Sequence, residues 1–189
     1  MSLADKIRAE HIDLRKPKPV LVLRPELLLC ENVPKPMHCV APRNVLGSVW
    51  WNQTRQVAYE STSFHCLACG VWKHNAEYRQ WLEGHEYFSV DYKAGRMTYI
   101  ETVPLCHLCH NAIHSGRLAA LLEKGQISHV KFAAIIRHRD AILKAAGLTL
   151  APEYNGPFAP WSSWRLVLFG KEYPPKYATR EEWESAFKV

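Results

Sequence analysis

A chain of 189 residues has the length of one domain, or of one core with extensions, and can bury only a moderate apolar interior. No apolar run approaches the ~18 residues that span a bilayer, and the opening MSLADKIRAEH is too polar for a secretory signal, so the expectation is a cytoplasmic protein with no membrane partner. A formal charge of +6 permits contact with nucleic acid without establishing it.

Residues 2–10 read as a short helix with Ser2 as N-cap and Asp5 in the first turn. Over 16–42, Pro17, Pro19, Pro25, Pro34, Pro36 and Pro42 forbid a long helix. The segment is expected as an extended arm with two brief apolar runs, 20–23 and 27–29. Arg15, Lys16, Lys18 and Arg24 make it basic, which suits a solvated wrap across the core or a set of phosphate contacts. Cys30 and Cys39 lack a clear fourth ligand beside His38 and read as buried free thiols. Residues 42–59 hold Trp50 and Trp51 with Arg43, Asn52, Arg55 and Gln56. Adjacent tryptophans cannot share one face of a strand. These rings either pack in the core or, beside Arg and Asn, grip bases and phosphates.

Residues 64–70 form a first Cys-x-x-Cys knuckle, Cys66 and Cys69, with Gly70 suited to the tight turn that aims backbone N–H groups at sulfur. Residues 75–82 read as a helical turn or short helix, broken at Gly84. His85 and Glu86 lead into a strand over 87–92 and a hairpin turn at Lys93-Ala94-Gly95. The return strand, 96–103, alternates Met97, Tyr99 and Glu101 with Thr98, Ile100 and Thr102, and Pro104 is expected to end it. A second knuckle, Cys106 and Cys109, opens a helix with His110, Asn111 and His114, closed by Gly116. A short helix over 117–123 stops at Gly125. Over 129–146, Phe132, Ile135, Ile136, Ile142, Leu143 and Ala146 keep helical spacing, while Lys131, Arg137, His138 and Lys144 fall largely off that stripe. A strand-like run over 164–169 precedes a final helix from Thr179, with Glu182 completing a capping box.

Two cysteine pairs at this spacing favour a closed tetrahedral zinc site over a disulfide framework, given the reducing compartment expected. Such a site carries about −2 in all, so the folded chain is less basic than its residue count. His110 and His114 are four apart, so on a helix they share one face and can hold a second metal. The plainer reading is that they only stabilise the knuckle helix.

Taken together, a strand hairpin carrying His85, then PLCHLCHNAIH at 104–114, resembles the HNH nucleases, and the paired knuckles resemble their zinc-stapled branch. The resemblance covers residues 66–116. It implies an α+β fold with a ββα-metal core stapled by Cys66, Cys69, Cys106 and Cys109 around structural zinc, with helical and Pro-rich extensions: an arm over 1–60, the core over 61–125 and a C-terminal extension over 126–189. It also implies hydrolysis of DNA phosphodiester bonds, with RNA as a further substrate, leaving 5′-phosphate and 3′-hydroxyl ends. A divalent metal such as Mg, Mn or Ni would sit at the histidines.

Many members of the family have a metal ligand followed by a general-base His where this chain has Gly84-His85-Glu86. In one register His85 is the base and Glu86 is auxiliary. In the other, preferred because it keeps three ligands, His85 joins His110 and His114 on the metal and Glu86 is the base. Glu101 stands at the family's middle Asn and is expected to hydrogen-bond a metal histidine or to mark an altered site. Arg15, Lys16, Lys18, Arg43 and Arg137 are the expected phosphate contacts. Cutting both strands would favour a homodimer, and a small nuclease of this kind suits a phage, a mobile element or a restriction system. The departures at Gly84, Glu86 and Glu101 support an alternative, a catalytically degenerate zinc scaffold that binds DNA or a protein partner. A zinc deaminase is disfavoured, because His85 and Glu86 lack the spacer of a His-x-Glu motif and four cysteines close the zinc to water.

Overall fold

The computed structural model describes residues 21–29, 32–150 and 154–187. At its centre is a β-hairpin. Strand β1 spans Glu83–Asp91 and β2 spans Arg96–Leu105. They pair antiparallel from Glu83 opposite Leu105 to Asp91 opposite Arg96, with an irregularity between Tyr87 and Phe88. The turn is held by Asp91, whose Oδ1 accepts from Ala94 N–H at 2.8 Å. Met97, Val103 and Leu105 of β2 are buried on two separate interiors.

Two expectations about the hairpin are corrected. Gly84 does not break the chain but lies inside β1, and Pro104 does not end β2 but pairs opposite Gly84. The carbonyl of Pro104 accepts from Leu67 N–H at 2.9 Å, which ties the first knuckle to the hairpin. Residues 75–82 are also not helical as expected. A single 3₁₀ turn, Lys73–Asn75, is followed by irregular chain.

Upstream, α1 covers Pro42–Ser61 and is broken at Gly47, whose φ of 82° and ψ of 175° are not helical. Neither tryptophan on it lies on a strand. Trp50 meets Tyr99 edge-on at 5.9 Å and Trp51 packs over the hairpin, so both rings are half-buried between helix and sheet. The proline-rich segment before it is partly extended and partly in 3₁₀ turns at Pro25–Leu29 and Lys35–Met37. Leu27 and Leu28 reach the main core. Cys39, expected buried, is exposed with φ 64°, and Cys30 and residues 2–10 lie outside the described residues.

Downstream of β2 come α2 (His107–Ile113), α3 (Ser115–Glu123) and α4 (His129–Ala145). Gly116 does not close α2; it sits in the first turn of α3, and the chain bends at His114 (φ −84°, ψ 53°). Strand β3 (Arg165–Leu168) runs parallel to β2, and β4 (Lys171–Tyr173) pairs antiparallel with β3. The sheet order is β1-β2-β3-β4. Helix α5 (Arg180–Phe187) follows, with Thr179 Oγ1 accepting from Glu182 N–H at 3.2 Å. Glu182 reaches back to Ala178 N–H at 2.8 Å, one residue before the cap, rather than to the N–H of Thr179 as the capping box expected.

The described residues thus form an α+β structure with two interiors. The larger gathers Leu27, Leu28, the cysteines, α2 and the buried side of α4 through Ile135 and Leu143. The smaller places Trp164, Leu166 and Leu168 against Met37, Val40 and Met97. No described helix is long and apolar enough to cross a membrane.

Gly84 sets how closely α1 lies on β1. A Cβ there would stand 3.1 Å from Trp51 and 3.2 Å from the Cβ of Arg55. Gly84→Ala should therefore destabilise the protein by about 1–3 kcal/mol in denaturant unfolding. Gly116→Ala, whose added Cβ meets nothing within 4 Å, should stabilise it by about 0.5–1 kcal/mol. Equal effects at the two positions would contradict the packing at Gly84.

Candidate metal centres

Each knuckle is built from local backbone. In the first, Cys66 N–H donates to Val71 O at 2.9 Å and Gly70 N–H to Cys66 O at 2.8 Å, and His65 bridges Trp72. The left-handed φ of 77° at Gly70 closes that turn without a Cβ in the way. In the second, Cys106 caps α2, its sulfur accepting from Cys109 N–H at 3.5 Å. The hairpin brings the knuckles together, and the four sulfurs lie within 4.8 Å of one another. Cys69 and Cys106 sulfurs are 3.8 Å apart. A zinc ion with four arms of ~2.3 Å requires edges of about 3.8 Å, so the four side chains fit a single metal. Hydrogen bonds from Cys106, Cys109 and Cys69 hold the Cys66 thiol well below its usual value. The Cys109 thiol is pushed up by Cys106, Cys66 and Cys69. A cation among them would relieve that opposition.

His138 completes this centre and was not expected there. Its Nε2 lies 3.4 Å from Cys109 sulfur and 4.0 Å from Cys106 sulfur. Hydrogen bonding to Cys106 raises its pKa against the effect of burial. This corrects the expectation that His138 falls off the apolar stripe: it is three residues after Ile135 and four before Ile142, half-buried on the side that faces the cysteines.

The second centre is histidine alone. His85 of β1 and His110 of α2, with His114 at the end of that helix, place one ligand nitrogen each within 4.8 Å of the others. His110 and His114 Nε2 atoms are 3.3 Å apart. Two imidazole nitrogens ~2.1 Å from one ion stand about 2.9–3.4 Å apart, so this group also fits a metal. Burial lowers the His85 pKa to about 2, with His114, His110 and Arg43 adding repulsion. Burial and His110 lower that of His114 to about 4. Both rings are neutral at ordinary pH, the form that ligates.

Glu83 is the residue that reading the motifs missed. Its two oxygens lie 2.7 Å from His107 Nδ1 and 2.7 Å from His110 Nδ1. Burial opposes its ionisation, but bonding to His107 and His110 outweighs that and holds the carboxyl well below the usual range. The contact with His107 has hydrogen-bond geometry, whereas the one with His110 Nδ1 is a close approach without it, and Nε2 of His110 is left for His114 and the cavity. Glu83 is two residues from His85 in a strand, so it shares its face, a spacing visible beforehand.

A cavity of about 340 Å³ opens beside the histidines, lined by His85, Glu86, His110, His114, Arg43 and Cys39 among others. Glu86 is buried and bound twice by Arg43, from its backbone N–H at 3.1 Å and from Nη2 at 3.3 Å. Burial raises the Glu86 pKa, and Arg43 partly offsets this. Glu101 is not where it was expected. It pairs with Arg24, at the arm, rather than with a histidine. Arg137 is exposed on α4, and Arg15, Lys16 and Lys18 lie outside the described residues.

No protein-family model, curated protein or solved structure matches this chain.

Purified protein should carry one tightly held zinc per chain by elemental analysis. Cys106→Ala should be zinc-free and insoluble, whereas His110→Ala should stay soluble with its zinc retained; a soluble, folded, zinc-free Cys106→Ala would remove the structural role. His138→Ala should keep the fold and lower zinc affinity roughly 10–100-fold in chelator competition.

Proposed function

We propose that the chain is a metal-dependent endonuclease that hydrolyses DNA phosphodiester bonds, with β1, β2 and α2 as a ββα-metal unit of the HNH kind. The observation that carries this reading is the meeting of two centres at one short helix: a cysteine cluster suited to structural zinc and, around the corner, His85, His110 and His114 facing a cavity that also holds a buried carboxylate.

A divalent ion such as Mg, Mn or Ni bound at the three histidines would screen the phosphate charge and acidify a coordinated water. The protein's own groups supply the rest. Glu83 sets a carboxylate 2.7 Å from Nδ1 of His110, on the side of the ring away from its Nε2. Glu86, its pKa raised by burial, takes the proton from the attacking water as general base. Arg43 must release Glu86 for that step, and its half-exposed guanidinium at the cavity edge then has a phosphate oxygen to bind. Tertiary position favours the register with His85 on the metal, since all three imidazoles converge and Glu86 stands apart on the Arg43 side.

The same Arg43–Glu86 pair supports the second reading. If it stays closed, the base is neutralised and the scaffold only binds nucleic acid or a protein.

Plasmid and linear DNA incubated with Mg²⁺, Mn²⁺ or Ni²⁺ should be nicked by the wild-type protein. His110→Ala should lower the rate by at least about 100-fold, and Glu86→Gln by a factor of about 100 or more, with zinc content unchanged in both. No cleavage of any DNA or RNA by wild type would transfer the assignment to the binding scaffold, and full activity in Glu86→Gln would remove that residue from the base role.

A further inference from the structure

Beside the histidine centre, on the far side of Glu83, lies an aromatic and basic surface that the proposed chemistry does not use. Tyr78 is 50% exposed and Trp81 52% exposed. Each ring has a cation over it. Lys131 Nζ of α4 is 5.0 Å from the Tyr78 ring centroid, and the Arg79 guanidinium is 5.1 Å from that of Trp81. Large exposed rings cost solvation free energy, and a pair with their own cations is poorly explained by core packing.

Backbone geometry is an independent sign. Tyr78 has φ 65°. A bulky non-glycine residue in the left-handed region costs on the order of 1–3 kcal/mol and persists where surroundings enforce it, often at ligand sites.

The surface is wired to the candidate centre by short contacts. The Tyr78 ring lies 6.1 Å from that of His107. Arg79 Nη1 is 3.6 Å from Glu83, whose oxygens reach His107 and His110. A ligand held on Tyr78 and Trp81 is therefore one carboxylate away from a metal-site histidine.

We propose that Tyr78 and Trp81 form a binding platform for unpaired nucleotides, each ring stacking on a base while Lys131 and Arg79 contact the flanking phosphates. Each cation lies over a ring face, so a stacking base would take the cation's place and leave it beside the flanking phosphate, and a duplex hides the base faces that such rings need. The carboxylates present do not oppose this arrangement equally. Glu83 is committed to the histidines and Arg79, and exposed Glu77 is the one that a phosphate would have to avoid. The proposal rests on nucleic acid being the substrate and adds that the segment engaged is single-stranded.

The test is fluorescence anisotropy with a labelled single-stranded DNA oligonucleotide, the RNA of the same sequence and the DNA duplex, without added divalent metal, so that binding is read apart from cleavage. Wild type should bind a single strand at least about 10-fold more tightly than the duplex. Trp81→Ala and Tyr78→Ala should each weaken single-strand binding about 10-fold, leave duplex binding and zinc content unchanged, and Trp81→Phe should restore most of the affinity. The DNA and RNA arms decide which strand is preferred. Unchanged binding in both alanine variants, equal binding of single strand and duplex, or no nucleic-acid binding at all would overturn the platform. Two outcomes separate the proposals: platform-dependent binding by a wild-type protein that never cleaves sinks only the nuclease, and cleavage lost in His110→Ala with no effect of Trp81→Ala or Tyr78→Ala on binding sinks only the platform.

Discussion

The structure depends on closing one contact between distant pieces of chain, the meeting of Cys66 and Cys69 with Cys106 and Cys109. Cys69 and Cys106 are separated by 37 positions, and the hairpin between them is what brings them together. Around the sulfurs the main interior is modest for a chain of this length, a set of leucines, small residues and the inner stripe of α4. Four clustered thiols, three of them buried, would oppose one another's ionisation with no cation among them. With a cation they become the strongest crosslink available to a reduced protein.

Helix α2 converts that crosslink into a platform for chemistry. It has seven residues, and all but His110 are buried. Successive helical residues point about 100° apart, so Cys109 turns to the sulfurs while His110 turns to the cavity. Movement of the cysteine knuckle is thereby movement of the histidine centre. Glu83 strengthens the link from the other side: it joins His107, next to Cys106, to His110 through one carboxylate on the opening residue of β1. Strand and helix are held in register at the place where His85 must face His110 and His114.

The opposite wall of the cavity is set by α1. Trp51 and Arg55 lie so close to Gly84 that even a Cβ there would crowd both of them. The glycine at the position where the resembled family has a first ligand thus has a packing reason, since the space is filled by an indole. The same approach delivers Arg43 to Glu86. One helix therefore both fills the space beside Gly84 and sets the electrostatic surroundings of the carboxylate next to it through the Arg43–Glu86 pair.

Short-range pattern determined much of this protein. The two Cys-x-x-Cys knuckles, the i,i+4 pair His110 and His114, the turn at Lys93-Ala94-Gly95, α4 and the cap at Thr179 all follow from spacings of a few residues, and such spacings translate directly into helix faces, turns and chelating pairs. Glu83 and His138 were available by the same periodicities, because Glu83 shares a strand face with His85 and His138 shares the buried stripe with Ile135. Only the tertiary structure decided which carboxylates attend the histidines. Glu101 is drawn off by Arg24 from the arm, Glu86 is claimed by Arg43 from α1, and Pro104 and Gly84 are accepted inside strands because knuckle and helix pack against them. Those outcomes depend on partners dozens of residues away, and the free energy that selects them comes from packing that no local pattern encodes.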